Sequence, residues 1–273
     1  MRCRKPLRPS RSLGGILEID DRKGMNTSVK LVVLPGLDGT DVFFRPFLAA
    51  LPAAIRPVVI DYPSEGSNQY ADLLEIVRRA VAEIPPFYVL ASSFSGPLAI
   101  MLARADPEKV RGLILSASFL RLPQPPLAGF RFAAVSPVVG MIRTLRRLPI
   151  WTLRRRADPL RRAKAETWSR VSSRVLAART RAILDVDVRE ALQSCPQPLL
   201  CVAYADDRVV SRENADEILQ YHRAAELVIL PGGHLAMHSD PAGLATEVVR
   251  FIRSVECRTQ KGEVAAAVSK CGA

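Results

Sequence analysis

The chain alternates between short apolar runs and longer segments with a helical repeat of apolar positions. The helical repeat is clearest in residues 71–84, where apolar side chains recur every three or four positions and so share one face of a helix. The predicted helices cover residues 41–51, 71–84, 96–105, 212–221 and 241–255. The predicted strands cover residues 29–34, 57–61, 87–91, 112–115, 198–204 and 226–230.

The predicted strands are almost continuously apolar, which is typical of strands that are covered on both faces. Because they alternate with helices, we predict an α/β fold with a mostly parallel sheet and helices on both faces. The core is predicted to comprise residues 29–118 and 196–255. Residues 119–195 contain no clear strand, show helical patterns at 138–148 and 163–184, and are predicted to form a helical lid.

Both ends of the chain fall outside this predicted core. Residues 1–24 carry seven positive and three negative charges and lack the apolar stretch of a secretory signal. We predict that residues 1–28 form a disordered basic arm, or that Met25 is the true start and the arm is not translated. Residues 256–273 are small and polar, and we predict that they form a flexible tail.

The net charge of +12 is concentrated in one part of the chain. Residues 143–181 contain thirteen Lys or Arg side chains against two acids. This pattern is typical either of a solvated basic helical surface or of a patch for an anionic partner. The expected partners are a membrane surface, an acyl carrier or a charged substrate head group. No segment resembles a nucleic-acid-binding module, so we expect no nucleic-acid partner.

Five scattered cysteines, without a C-x-x-C pair, argue against a disulfide framework or a zinc site. They suit a reducing compartment. No apolar run approaches the roughly 20 residues that span a bilayer. We therefore predict a cytoplasmic protein, with contact to a membrane limited to the surface, and no metal.

The most informative segment is residues 87–96 (FYVLASSFSG), which runs from a predicted strand through a tight turn into a helix. A nucleophile elbow places its serine on such a turn and needs small residues two positions to either side. Ala91 and Ser95 meet that demand around Ser93, which is our candidate nucleophile. Ser92 and Ser95 are rival candidates.

A serine nucleophile needs a base, and the base needs an acid that orients it. His234 follows the last predicted strand, at the edge where parallel sheets bind their ligands. His238 is the alternative base, and His222 is predicted to be solvated at a helix end. Asp207 follows the predicted strand at residues 198–204 and is our candidate acid, whereas Asp206 would cap the turn.

A glycine-containing turn also follows the first predicted strand, and such turns expose backbone N–H groups. We assign an oxyanion hole to the N–H groups of Leu37 and Phe94, each expected to stabilise the transition state by roughly 3 kcal/mol. Gly36, Phe43 and Phe44 are candidate substrate-binding residues, although aromatic side chains after a turn are more often part of the core.

Together these segments resemble the α/β-hydrolase superfamily over about residues 29–255. The elbow departs from G-x-S-x-G because both flanking glycines are replaced, with Gly96 one position later, and Pro35 stands where many members have His. The order Ser, Asp, His along the chain is that of the superfamily. The matching segments are residues 35–37 (PGL), 91–96 (ASSFSG), 207–210 (DRVV) and 233–234 (GH).

The resemblance implies a helical lid over the serine and activity as an esterase, lipase, thioesterase or amidase. We expect hydrolysis of a carboxylic ester or thioester through an acyl-enzyme, without a cofactor. Two alternatives are an acyltransferase that uses the same acyl-enzyme and a non-catalytic binding protein on the same fold.

Overall fold

The computed structural model describes residues 28–123 and 158–271 of the chain. Within these ranges six strands form one sheet: β1 (Val29–Leu34), β2 (Ile55–Val59), β3 (Phe87–Ser92), β4 (Val110–Ser116), β5 (Leu199–Tyr204) and β6 (Glu226–Leu230). Their order is β2-β1-β3-β4-β5-β6, and all neighbouring strands are parallel. The predicted α/β class with a parallel sheet is confirmed.

Nine helices lie in the same described ranges. They are α1 (Arg45–Ala50), α2 (Tyr70–Ala80), α3 (Ser95–Ala105), α4 (Pro159–Arg170), α5 (Ser173–Asp185), α6 (Arg189–Gln193), α7 (Arg212–Tyr221), α8 (Ala236–Ser239) and α9 (Pro241–Cys271). Helices α1, α8 and α9 pack on one face of the sheet. Helices α2, α3, α6 and α7 pack on the other face.

This arrangement produces two apolar cores, one on each side of the sheet. Side chains alternate between the faces of a strand. In β1, Leu31 and Val33 therefore enter one core, while Val32 and Leu34 enter the other. All four side chains are fully buried, which explains why positions 31–34 of the strand are all apolar.

Several predicted elements have different bounds in the structure; the helix predicted at 71–84, for example, ends at Ala80. The helix predicted at 41–51 begins only at Arg45, and Pro46 occupies its first turn, where a missing N–H costs nothing. The strand predicted at 57–61 is β2, which begins and ends two residues earlier. Strand β2 lies at the edge of the sheet, a place where Pro57 is tolerated.

The last helix is longer than predicted. Helix α9 continues past residue 255 to Cys271, so the backbone is helical over most of the stretch predicted as a flexible tail at 256–273; the flexibility of that tail stays a prediction. The added segment contains one glycine and no proline and consists largely of good helix formers, so no residue in it ends the helix.

The described part of the predicted lid is mostly helical from residue 158 onwards, whereas residues 119–123 are not helical and Arg121 forms an isolated β-bridge with Asp187. The helix predicted at 163–184 is divided into α4 and α5, because the Ser172 side chain caps a new helix by accepting a hydrogen bond from the Val175 N–H at 3.2 Å. The predicted helix at 138–148 and the predicted arm, with Met25, lie outside the described residues. No described helix is both long enough and apolar enough to cross a bilayer.

Candidate active site

Ser93 lies on a sharp turn between β3 and α3, where its backbone has a φ angle of +50°. A non-glycine residue in this left-handed conformation costs roughly 1–2 kcal/mol. Two hydrogen bonds hold the turn: Ser93 N–H donates to the Ser116 carbonyl at 2.9 Å, and Gly96 N–H donates to the Ser93 carbonyl at 3.1 Å. The turn leaves Ser93 partly exposed, whereas the rival serines Ser92 and Ser95 are buried.

The turn packs closely against the loop that follows β4. A Cβ atom added at Gly96 would overlap the side chain of Ser118, so helix α3 can lie this near the loop only without a side chain there. The Ser118 hydroxyl also donates to the Ser93 carbonyl at 2.8 Å. Close packing and hydrogen bonding therefore hold Ser93 in its strained conformation.

The structure brings Ser93, His234 and Asp207 into one hydrogen-bonded line. His234 lies in the loop between β6 and α8, and its Nε2 is 3.0 Å from Ser93 Oγ. Its Nδ1 is 2.8 Å from Asp207 Oδ2, on the turn after β5. The other carboxylate oxygen of Asp207 accepts the N–H groups of Val209 and Val210 at 2.8 and 3.0 Å. The spacing is suited to proton transfer from the hydroxyl to the imidazole.

The carboxylate of Asp207 is shielded from water, with 1% of its side chain exposed against 20% for His234. Burial raises the pKa of Asp207, but the hydrogen bond and charge of His234, with the two backbone N–H groups, lower it further, so the pKa lies below its usual value. Asp207 is therefore ionised at neutral pH and can stabilise a positive charge on the imidazole.

The alternative base and acid lie elsewhere. His238 is on α8, with its ring edge against Phe43 at 6.0 Å between centroids, and its Nδ1 is buried without a partner among the described atoms. His222 Nε2 lies 3.1 Å from the Gln197 carbonyl, so this histidine is less solvated than predicted. Asp206 is exposed, and its backbone N–H rather than its side chain supports the turn.

The turn after β1 is closed by a hydrogen bond from Gly39 N–H to the Gly36 carbonyl at 2.9 Å. Gly39 has a φ angle of +71°, a conformation that favours glycine. Leu37 lies at the centre of this turn and lines a pocket beside Ser93. In the part of the chain that the structure describes, neither Leu37 N–H nor Phe94 N–H has a protein acceptor. Both remain candidates for an oxyanion hole.

Aromatic packing holds Phe94 at the start of α3. Its ring stacks on Tyr70 at 4.8 Å, and the Tyr70 hydroxyl donates to the Phe94 carbonyl at 2.8 Å. Tyr62 contacts the same ring edge-on at 6.2 Å and is hydrogen-bonded to Ser95 Oγ. Ser95 in turn donates to the Pro35 carbonyl. The residue that replaces the second glycine of the elbow thus ties helix α3 to the loop after β1.

A mainly apolar pocket of about 420 Å³ opens beside Ser93. The predicted binding residues Gly36, Phe43 and Phe44 all line it. Other segments supply the remaining walls of the pocket, and sequence reasoning did not predict them. Positions 176, 180 and 183 lie on one face of α5, and this helical spacing was a usable signal for one of the walls. The missed residues are Asp38, Phe119, Pro123, Thr167, Trp168, Val171, Leu176, Thr180, Ile183, Val209, Val210, Leu235 and Met237.

Comparison with protein families agrees with this architecture. The model of a family described as "Alpha/beta hydrolase family" matches residues 31–247. A crystal structure of a hydrolase from Pseudomonas aeruginosa PA01 superposes with a TM-score of 0.69 and 24% identity, covering 84% of this chain and 92% of that one. At this identity, the likeness concerns the fold.

Two curated proteins are similar in sequence over part of their length. The pimeloyl-[acyl-carrier protein] methyl ester esterase of Neisseria meningitidis serogroup A is 34% identical over 131 residues, which is 45% of this chain and 42% of that protein. The AMB antimetabolite synthetase AmbE of Pseudomonas aeruginosa is 27% identical over 241 residues, or 84% of this chain and 11% of that protein. The matched regions span less than half of both relatives.

Proposed function

Because this chain belongs to the alpha/beta hydrolase family, we propose that it is a serine hydrolase that cleaves a carboxylic ester or thioester. The observation that carries the proposal is the line of hydrogen bonds from Ser93 Oγ through the imidazole of His234 to the Asp207 carboxylate, at 3.0 and 2.8 Å. A hydroxyl, a base and an orienting acid in this order form the arrangement of an activated serine nucleophile.

In the proposed reaction, His234 Nε2 takes the proton of Ser93 as Oγ attacks the carbonyl carbon. The negative oxygen of the tetrahedral intermediate is stabilised by Leu37 N–H and Phe94 N–H. His234 then gives its proton to the departing alcohol or thiol, which leaves an acyl group on Ser93. Water attacks that ester with His234 as base, the carboxylic acid departs, and the serine hydroxyl is restored.

The pocket supports an apolar acyl group as the part of the substrate next to the serine. Its walls are mainly aliphatic and aromatic, and no Lys or Arg is among the described residues that line it. A buried carboxylate at the far end of an acyl chain would lack a cationic partner there, which is costly. We therefore propose that the acyl portion is uncharged.

The basic segment at residues 143–181 supports binding of an anionic group, either on the substrate or on a partner of the protein. In its described part, six basic side chains are exposed: Arg161, Arg162, Lys164, Arg170, Arg174 and Arg181. The name of the meningococcal relative specifies a methyl ester carried by an acyl-carrier protein. An acyl carrier or an anionic membrane surface accordingly stays our proposed partner for this segment.

The proposal is tested by reaction with a fluorophosphonate probe, followed by peptide mass spectrometry of the labelled protein. We expect one adduct, on Ser93, that is lost in Ser93→Ala. Labelling should persist in Ser169→Ala, which removes an exposed serine on α4. Thermal unfolding of each variant shows that it is folded. Folded wild-type protein without an adduct, or with an adduct on another serine, would contradict the proposal.

Two alternative functions are separated by product analysis. Hydrolysis of nitrophenyl esters is followed with and without an added alcohol. An acyltransferase would form mainly the new ester, whereas a hydrolase forms the acid. A binding protein without catalysis would release no nitrophenol beyond that of Ser93→Ala.

A further inference from the structure

Arg179 is the largest fully buried side chain in the described part of the molecule, with 1% of the residue exposed. It lies on α5, within the predicted lid, and points into the loops at the carboxyl edge of the sheet. Transfer of a charged group from water is strongly unfavourable unless hydrogen bonds replace the lost hydration. The partners of this guanidinium therefore indicate why a charge is kept there.

All three of its hydrogen-bond acceptors are neutral oxygens. Nη1 donates to the Leu37 carbonyl at 2.9 Å, Nη2 to the Pro63 carbonyl at 3.1 Å and Nε to Asn68 Oδ1 at 3.0 Å. Its Cζ atom also lies 5.4 Å from the centre of the Tyr62 ring. Burial lowers the pKa of Arg179 to about 10, so the group stays protonated at neutral pH.

The loop after β1 is shaped to receive this side chain. A Cβ atom at Gly39 would overlap the guanidinium of Arg179, so the glycine leaves the space that the arginine occupies. The Gly39 carbonyl accepts the Tyr62 N–H at 2.9 Å. The turn, the arginine and the tyrosine therefore form one packed unit.

This unit holds the peptide groups on both sides of Leu37. The Gly36 carbonyl, in the peptide before Leu37, accepts from Gly39 N–H at 2.9 Å. The Leu37 carbonyl, in the peptide after it, accepts from Arg179 at 2.9 Å. With both carbonyls held, the direction of Leu37 N–H is set. Tyr62 connects this unit to the second proposed donor, because its ring contacts Phe94 and its hydroxyl is hydrogen-bonded to Ser95.

We infer that Arg179 is a positioning residue of the oxyanion hole: it holds the Leu37 carbonyl so that the N–H of the same residue points at the negative oxygen. The inference rests on the proposed serine-hydrolase function. Arg179 does not line the pocket and touches no reacting atom. Because Arg179 belongs to α5, the position of this helix and the geometry of the oxyanion hole depend on each other.

The test compares Arg179→Met and Arg179→Lys with Arg223→Met, which removes an exposed arginine outside the basic segment and the pocket. A lysine keeps the charge but lacks the planar fork of the guanidinium. A misdirected oxyanion donor lowers turnover by up to about 100-fold. We expect kcat per labelled Ser93 to fall roughly 10- to 100-fold in both Arg179 variants, with KM within about twofold. Arg223→Met should match wild type.

A second measurement separates positioning from general damage. An alkyl trifluoromethyl ketone adds to the serine and forms an oxyanion, whereas an alkyl methyl ether of the same chain length fills the pocket without a carbonyl group and forms none. We expect the inhibition constant of the ketone to rise by the same factor as kcat/KM falls, and that of the ether to stay unchanged. Equal weakening of both inhibitors, or unchanged kcat, would overturn the inference.

If both Arg179 variants fail to fold, Asn68→Gly carries the same test. Glycine keeps the positive φ of +53° at this position and removes one acceptor of the guanidinium. We expect a loss of several-fold in kcat and the same selective weakening of the ketone, and the absence of both would overturn the inference. Wild-type protein that does not react with the fluorophosphonate would instead end the proposed function itself.

Discussion

Replacement of Asp207 by asparagine tests the proposed line of catalytic groups most directly. The two side chains have nearly the same shape, so the substitution removes a charge without leaving a cavity. The amide can turn its NH₂ towards Nδ1 of His234, which then keeps its proton on Nε2. An imidazole in that tautomer cannot accept the proton of Ser93.

The expected magnitude follows from the geometry. The carboxylate lies 2.8 Å from Nδ1 with 1% of its side chain exposed, so water screens the pair weakly. Two unit charges about 4 Å apart interact by about 4 kcal/mol at an effective dielectric constant of 20. A loss of that size in the transition state slows turnover by about three powers of ten. With the wrong tautomer added, kcat should fall between about 10³- and 10⁴-fold.

The assay is steady-state hydrolysis of a nitrophenyl ester at neutral pH, with kcat and KM determined separately. Asp206→Asn is the matched control, since it removes the neighbouring carboxylate, which is exposed. The control should keep wild-type kcat, and Asp207→Asn should keep the wild-type KM because the acid does not line the pocket.

Two results would refute this reasoning. A loss below tenfold in folded Asp207→Asn would mean that the carboxylate does not assist His234. A large loss in Asp206→Asn with little effect at Asp207 would identify the neighbouring residue as the acid.

Four further predictions concern packing, specificity, acid stability and the basic segment. Gly96→Ala should lower the free energy of unfolding by about 1–3 kcal/mol in urea, and Ser118→Gly in the same chain should recover part of it, because the added methyl overlaps that side chain; purely additive effects would contradict the contact. Leu176→Trp should reduce kcat/KM for decanoate esters more than tenfold and leave acetate esters within twofold, because the residue lines the pocket; an equal loss for both esters would contradict this role. The pKa of Asp207 is lowered by folding, so its ionised form stabilises the protein above its unfolded pKa of about 3.9, and this stability is lost as the pH falls through the folded pKa. The difference in Tm between wild type and Asp207→Asn should therefore shrink as the pH is lowered from 5 to 3, and a constant difference would show that the shift is absent. The basic segment at residues 143–181 should bind vesicles of anionic lipid in a manner that weakens with salt, whereas equal binding to neutral vesicles would exclude an electrostatic contact.

Several strands and helices were predictable because their signal is local. The bounds of β1, β6 and α7 agree with the apolar runs and helical repeats that predict them. A strand covered on both faces is largely apolar, and turn residues mark its ends. The alternation of such strands with helices then predicts a parallel sheet without any knowledge of its strand order.

Element ends were less predictable where neighbours decide them. Helix α1 starts late because residues 41–44 form a turn, and Asp41 is hydrogen-bonded to Arg45 instead of opening the helix. Helix α9 continues past its apolar pattern because no residue there stops it. The apolar repeat reflects which residues are buried, so in both cases its ends differ from the ends of the helix.

The candidate site was predictable to the level of its segments. Three polar residues follow three strands of a parallel sheet, whose carboxyl ends share one edge, so Ser93, Asp207 and His234 were expected to be close. The choice among neighbouring residues was a different matter. Ser92 and Ser95 differ from Ser93 in burial and backbone angle, and these properties depend on how α3 packs against the loop after β4.

The amino-acid sequence by itself thus determined the alternation of elements, the class of sheet and the edge at which chemistry is expected, because these depend on side-chain periodicity and on local turns. Tertiary structure decided the rest. Arg179 resembles the other arginines of its segment in sequence, yet it is buried against a carbonyl 142 positions away. Its environment is created by helices and loops that meet only after folding, and no local pattern records such a meeting.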